Sequence, residues 1–219
     1  MPAAATTPKE VSPHAHSSRE TLLRVGLEMA QAGGFRSISV RGLCQRAQAN
    51  TGTFVYHFGT RQAFVTELIE TWYGPLFARL MLQYDRQAEP RVRLQAMLGQ
   101  LLAFLITNAS FVAQLLQDAI AGEEAVRQFI SELSPRHPRL LLQCIKEAQQ
   151  AGEFCAAPPL HVMMFIMSSL GLPVILRAMT TGHALLPEVI QQSLEEFAAD
   201  PVHLEQRLQW AFKGLAPDE

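Results

Sequence analysis

The sequence predicts an all-α protein, with a small N-terminal group of three helices followed by a larger helical region. Three observations carry this. Apolar residues recur at steps of three and four through most of the 219 residues, the spacing that lines one face of a helix. No segment alternates apolar and polar residues as a half-buried strand would, and no hairpin signal or internal repeat breaks the pattern. Prolines stand at the beginnings of periodic segments and glycines at their ends, where a helix tolerates them.

Residues 1–16 are small, proline-rich and without period, and read as a flexible arm. Ser17 with Glu20 fits a capping box. The helix it opens places Leu22, Leu23, Leu27 and Ala30 on one face and stops at Gly33-Gly34. Ser39 caps a second, short helix over "VRGLCQRAQ", with Leu43 and Ala47 facing inward. Asn50 caps a third over "TGTFVYHF", with Phe54 and Phe58 four apart. Two short helices joined by a tight turn and backed by a longer one make a helix-turn-helix, which presents its last helix to a DNA groove.

Thr60 caps a long fourth helix. Phe64, Leu68, Trp72, Leu76, Leu80 and Tyr84 form a stripe along it, and Pro75 is an expected kink. "AEPRVR" marks the next break. The rest reads as helices over 91–108, 111–120, 123–133, 138–152, 160–180, 188–198 and 202–215.

Composition narrows the class. With 48% apolar residues the chain can fill a substantial core. No stretch holds the roughly 18 uninterrupted apolar residues of a membrane span. The most apolar run, "VMMFIMSSLGLPVIL", is broken by two serines, a glycine and a proline, and the N-terminus lacks the apolar core of a signal peptide. A soluble, cytoplasmic protein is expected, with no membrane partner. Cys44, Cys144 and Cys155 form no CxxC pair and read as buried small residues.

Charge is uneven. Through Arg61 there are seven basic residues against three acidic, a net +4; the remainder carries eleven against seventeen, a net −6. A basic head on an acidic body suggests that the head meets a polyanion. No nucleophile elbow, phosphate-binding glycine loop or HExxH motif is present, so no enzyme is expected. His14 and His16 lack a third ligand, and neither a metal nor a cofactor is expected. A helical carrier of hydrophobic small molecules without DNA-binding activity would explain the body and leave the basic head unaccounted for.

From Thr21 to Leu68 the chain resembles the TetR family of transcription regulators. "TFVYHFGTR" is close to the family's T-hydrophobic-[YN]-Y-H-F-x-[ST]-K, and "SVRGLCQRAQAN" is similar to its second helix and turn. Four positions depart from the pattern. Gln48 replaces a turn glycine, Val55 a frequent tyrosine, Arg61 a lysine and Gln62 an acidic residue. These bear on the DNA sequence preferred rather than on the fold.

The resemblance implies double-stranded DNA as partner, read as a palindromic operator by a homodimer that acts as a repressor. Tyr56, His57 and Arg61 would touch phosphates, with Ser39 at the second helix's cap as a further contact. Arg41, Asn50, Thr51 and Thr53 would reach base edges, and Gly52 would let the helix lie close to the groove. Residues 17–62 would form the DNA-binding domain and 63–219 the effector-binding and dimerisation domain. Met163, Ile166, Met167, Leu170 and Val174 in one late helix, with Leu204, Leu208 and Phe212 in the last, would pair two copies. Met97, Leu101, Phe104, Phe111, Leu115 and Phe129 would line a pocket for a small apolar or amphipathic effector. The "VYHFGTR" stretch with Asn50 is also similar to the branch of the family that senses fatty acids or their thioesters.

Overall fold

The computed structural model describes residues 13–84, 88–182 and 185–217, with side chains from residue 18 onward. Residues 1–12 of the expected arm lie outside the described residues, as do the side chains of His14, His16 and Ser17. The first helix begins at Pro13, ahead of the expected Ser17 cap. Every regular element among the described residues is helical. The chain divides into two compact units, the first ending at Leu68 and the second beginning at Ile69.

The first unit contains α1 (Pro13–Gly33), a 3₁₀ turn (Phe35–Ser37), α2 (Val40–Arg46), α3 (Thr51–Phe58) and the opening turns of α4 (Arg61–Tyr84). α1 packs on the 3₁₀ turn, on α2 and on α3, and α2 packs on α3. Leu22, Phe35, Ile38, Leu43, Phe54, Phe64 and Leu68 fill the centre. The four-residue steps put Phe54, Phe58 and Phe64 together, with ring centroids 4.8–5.4 Å apart in tilted and edge-on pairs. α1 meets this cluster through Gly26, where a Cβ would fall 2.5 Å from Phe64 Cζ.

The three N-caps expected around the turn are in place. Ser39 Oγ accepts from the Gly42 N–H at 3.1 Å, Asn50 Oδ1 from the Thr53 N–H at 2.7 Å, and Thr60 Oγ1 from the Ala63 N–H at 3.1 Å. Between the first two, Gln48 adopts φ 52°. It is the only non-glycine with positive φ among the described residues. The tight turn forces the left-handed backbone, and a glutamine occupies it.

The second unit continues α4 and adds α5 (Pro90–Thr107), α6 (Ala109–Ile120), α7 (Glu124–Ser131), α8 (His137–Gln150), α9 (Pro159–Thr180), α10 (Glu188–Phe197) and α11 (Pro201–Gly214). Pro90, Pro159 and Pro201 each open a helix, as the sequence pattern predicts. α5 and α6 meet at 82° across Asn108. α9 is the central element, packing against α5, α6, α8, α10 and α11. By length and composition it could cross a membrane, with a window of mean hydropathy 1.8. Its apolar residues instead divide between the unit's interior and its surface: Val162, Ile166, Leu170 and Val174 are buried, and Met164, Phe165 and Leu172 are exposed.

Candidate nucleic-acid interface and apolar pocket

In the first unit, the aromatic cluster beneath α3 fixes which face of that helix looks outward. Phe54 and Phe58 point inward, leaving Thr51, Gly52, Val55 and Tyr56 exposed, with Thr53 and His57 half-buried. Tyr56 is 68% exposed, which excludes a core role for its ring; it meets the His57 ring edge-on at 5.0 Å. Arg41 is exposed on α2. Asn50 and Thr53 are tied together: besides its backbone contact, Asn50 Oδ1 accepts from Thr53 Oγ1 at 3.1 Å. The Asn50 amide nitrogen remains available for other contacts.

Arg61 departs from the sequence expectation of an outward phosphate ligand. Its Nε donates to the Ile38 carbonyl and its Nη2 to the Phe35 carbonyl, each at 2.7 Å. The guanidinium therefore pins the segment between the 3₁₀ turn and α2 to the start of α4. A planar fork can bridge two carbonyls in this way, and an ammonium reproduces it poorly. Other cations of the unit are also engaged. Arg19 pairs with Glu67 and lies over the Phe58 ring, and Arg24 pairs with Glu28 at 2.7 Å. Arg36, Arg41 and Arg46 are exposed and form no ion pair among the described residues. Of these three, the sequence pattern points only to Arg41, because a count of charges does not show which ones are engaged within the fold.

The second unit holds an apolar pocket of about 510 Å³, open to solvent on one side, whose walls come from α4 to α9. Of the six residues expected to line it, Leu101, Phe104, Leu115 and Phe129 do so. Met97 does not: it is fully buried in the α5–α8 contact, with its sulfur 3.8 Å from Cys144 Sγ. Phe111 stands behind the wall, edge-on to the Trp72 ring at 4.8 Å. Trp72 itself lines the cavity, held by its Nε1–H to Asn108 Oδ1 at 3.0 Å.

Sequence reasoning missed Trp72, Tyr73 and His137, and the α9 wall of Met164, Met167, Ser168 and Leu172. The i, i+4 stripe of α4 marks Trp72 as inward-facing. No local signal brings His137 to it. Tyr73 Oη and His137 Nδ1 are 2.7 Å apart. Burial pushes the Tyr73 phenol up to about 12, against a smaller opposing effect of the His137 backbone N–H. Burial, then the adjacent Arg136 charge, push His137 down to about 4, so the imidazole is neutral at pH 7. Arg136 grips Glu70 with both Nη atoms at 2.8 and 2.6 Å and lies 5.4 Å over the Tyr73 and Phe129 rings.

The expected pairing face is corrected. Ile166, Leu170, Val174, Leu204, Leu208 and Phe212 are buried inside the unit, and Met163 and Met167 are half-buried. The apolar side chains that α9 and α11 leave outside are Leu160, Met164, Phe165, Leu172, Met179, Val202 and Trp210. α9 is apolar on nearly every side, so its periodicity could not say which stripe faces the protein's own core.

Known proteins match this architecture. The family described as "Bacterial regulatory proteins, tetR family" matches residues 22–68. The chain is 31% identical over 151 residues to the HTH-type transcriptional repressor KstR2 of Mycobacterium tuberculosis, covering 66% of this chain and 72% of that protein. It is 28% identical over 134 residues to the nucleoid occlusion factor SlmA of Marinobacter nauticus, covering 61% and 69%. Among solved structures, the regulator FadR of Bacillus subtilis in complex with stearoyl-CoA aligns at TM-score 0.66 and 15% identity, over 90% of this chain and 98% of that one. The fatty acid degradation regulator FadR of Bacillus halodurans aligns at TM-score 0.66 and 14% identity, over 94% and 98%. A helix-turn-helix unit that carries the family pattern, an all-helical fold shared with these structures and a repressor relative lead to one assignment: the chain belongs to the TetR family of bacterial transcriptional regulators.

Proposed function

We propose that the protein acts in the cytoplasm as a ligand-responsive repressor, binding a palindromic operator as a homodimer and leaving it when an apolar or amphipathic effector fills the second unit's cavity. The observation that carries the DNA reading is the outer face of α3. A helix capped by Asn50 shows Thr51, Gly52 and Tyr56 to solvent, with Arg36, Arg41 and Arg46 exposed in the same unit. Tyr56 and His57 serve as phosphate contacts at the far end of α3, with Ser39 at the α2 cap. Arg41, Asn50, Thr51 and Thr53 face base edges. Arg61 acts on this reading as a positioning residue, setting the approach of α2 through its two carbonyls. The cavity of about 510 Å³ supports the effector. The exposed apolar residues of α9 and α11 support the pairing of copies.

α4 runs from Arg61 to Tyr84 and carries Trp72, Tyr73 and Leu76 into the cavity wall. An effector that prefers one setting of this helix shifts the dimer toward it and lowers operator affinity by that preference. Selection of bound fragments from genomic DNA, followed by titration at several salt concentrations, tests the reading. Salt-sensitive binding to a two-fold repeat is expected, with Tyr56→Phe weakening all sequences and Thr51→Ala altering preference. A protein indifferent to every fragment at low salt would end it.

A further inference from the structure

We propose that the cavity takes an uncharged apolar molecule bearing one carbonyl or hydroxyl oxygen, and that the Tyr73–His137 pair is the contact that orients it. This rests on the effector reading above and names its chemistry.

The lining is almost wholly hydrocarbon and aromatic. Its polar groups are Tyr73, His137, Ser168 and the Trp72 indole N–H, which is already held by Asn108, and among the described residues it contains no carboxylate, lysine or arginine. Tyr73 is only 4% exposed, so its hydroxyl is held in an apolar setting beside the void. The pair has two hydrogens, the phenol O–H and one imidazole N–H, and its internal bond of 2.7 Å uses one. In either tautomer one N–H or O–H donor is left over, together with a lone-pair acceptor. A ligand carbonyl accepts that donor, and a ligand hydroxyl can engage either group.

A charged ligand finds no counter-charge among the described lining residues. Arg136 lies 5.4 Å over the Tyr73 ring, and both its Nη atoms are committed to Glu70. A carboxylate placed here gives up its water without a counter-charge, a cost that an uncharged oxygen avoids. The anchor is also rigid. Tyr73 comes from α4 and His137 opens α8, and the Arg136–Glu70 grip joins the same two helices beside it. The phenol is further fixed between Phe77, stacked at 6.1 Å, and Phe129, edge-on at 5.3 Å.

The test is calorimetric titration of the full chain, without DNA, at pH 7.5 with four probes of matched length: octan-2-one, octan-1-ol, octane and octanoate. The ketone and the alcohol are expected to bind at least about tenfold more tightly than octanoate. Tyr73→Phe and His137→Phe are each expected to weaken the ketone by about 5- to 30-fold and to leave octane unchanged, which also shows that the variants fold. Octanoate binding as tightly as the ketone overturns the proposal. So does an equal loss for octane and ketone in Tyr73→Phe, or the absence of saturable binding by all four. Ketone binding that leaves operator affinity unaltered would remove the effector role while keeping this assignment; a DNA-negative protein that still discriminates the probes would do the same.

Discussion

Arg61 shows how much of a side chain's role its charge alone leaves out. Its guanidinium is spent on the Phe35 and Ile38 carbonyls. Arg61→Ala should lower the stability of the first unit by about 1–3 kcal/mol in urea unfolding, because two carbonyls lose a charged donor. Arg61→Lys should restore only part of it, since an ammonium cannot span both oxygens. At the neighbouring turn, Gln48→Gly should raise stability by up to about 1 kcal/mol, relief at φ 52° exceeding the extra freedom of the unfolded chain. His137 has its own signature. Its ordinary pKa of 6.5 falls to about 4 in the folded protein. Between those values the unfolded chain holds a proton that the native one refuses. Stability is therefore full above about pH 6.5, declines as the pH drops, and has lost up to about 3 kcal/mol by pH 4. Melting temperatures across that window should slope less in His137→Gln than in the wild type.

Helices and their caps were readable because each depends on neighbours in the chain. Ser39, Asn50 and Thr60 are oxygen-bearing residues three positions before the amides they satisfy, and the structure places all three as caps. The short 3₁₀ turn at Phe35–Ser37 escaped notice because three residues show no period. Periodicity carries no contrast in α9: it has apolar residues on its inner and outer sides, so its sequence alone does not separate the buried stripe from an outer one. The cavity was half readable for a related reason. Leu101, Phe104, Leu115 and Phe129 follow from apolar spacing, whereas the meeting of Tyr73 with His137, 64 residues apart, is a product of tertiary packing. A packing test follows for α1. Gly26→Ala improves local helix propensity by about 1 kcal/mol. It also drives a methyl to 2.5 Å from Phe64 Cζ, so a net loss of about 1–3 kcal/mol is expected in thermal unfolding.

The whole molecule leaves apolar side chains outside on α9 and α11, among them Phe165 and Trp210. On the homodimer reading these are the pairing surface. Phe165→Glu combined with Trp210→Glu should then yield a monomer by sedimentation while leaving the helical content of the chain intact, because neither side chain is part of the core. A wild-type chain that already sediments as a monomer would refute the pairing. One arrangement on α9 reaches beyond these tests. Met164 and Leu172 border the pocket and are also 62% and 57% exposed. On the effector and homodimer readings, a change at either codon would alter both what the protein admits and which copies it associates with. Descendants acquiring a new taste for small molecules would thus drift away from their ancestors as mates, and duplicated genes could separate into non-mixing regulators through the same mutations that divide their signals.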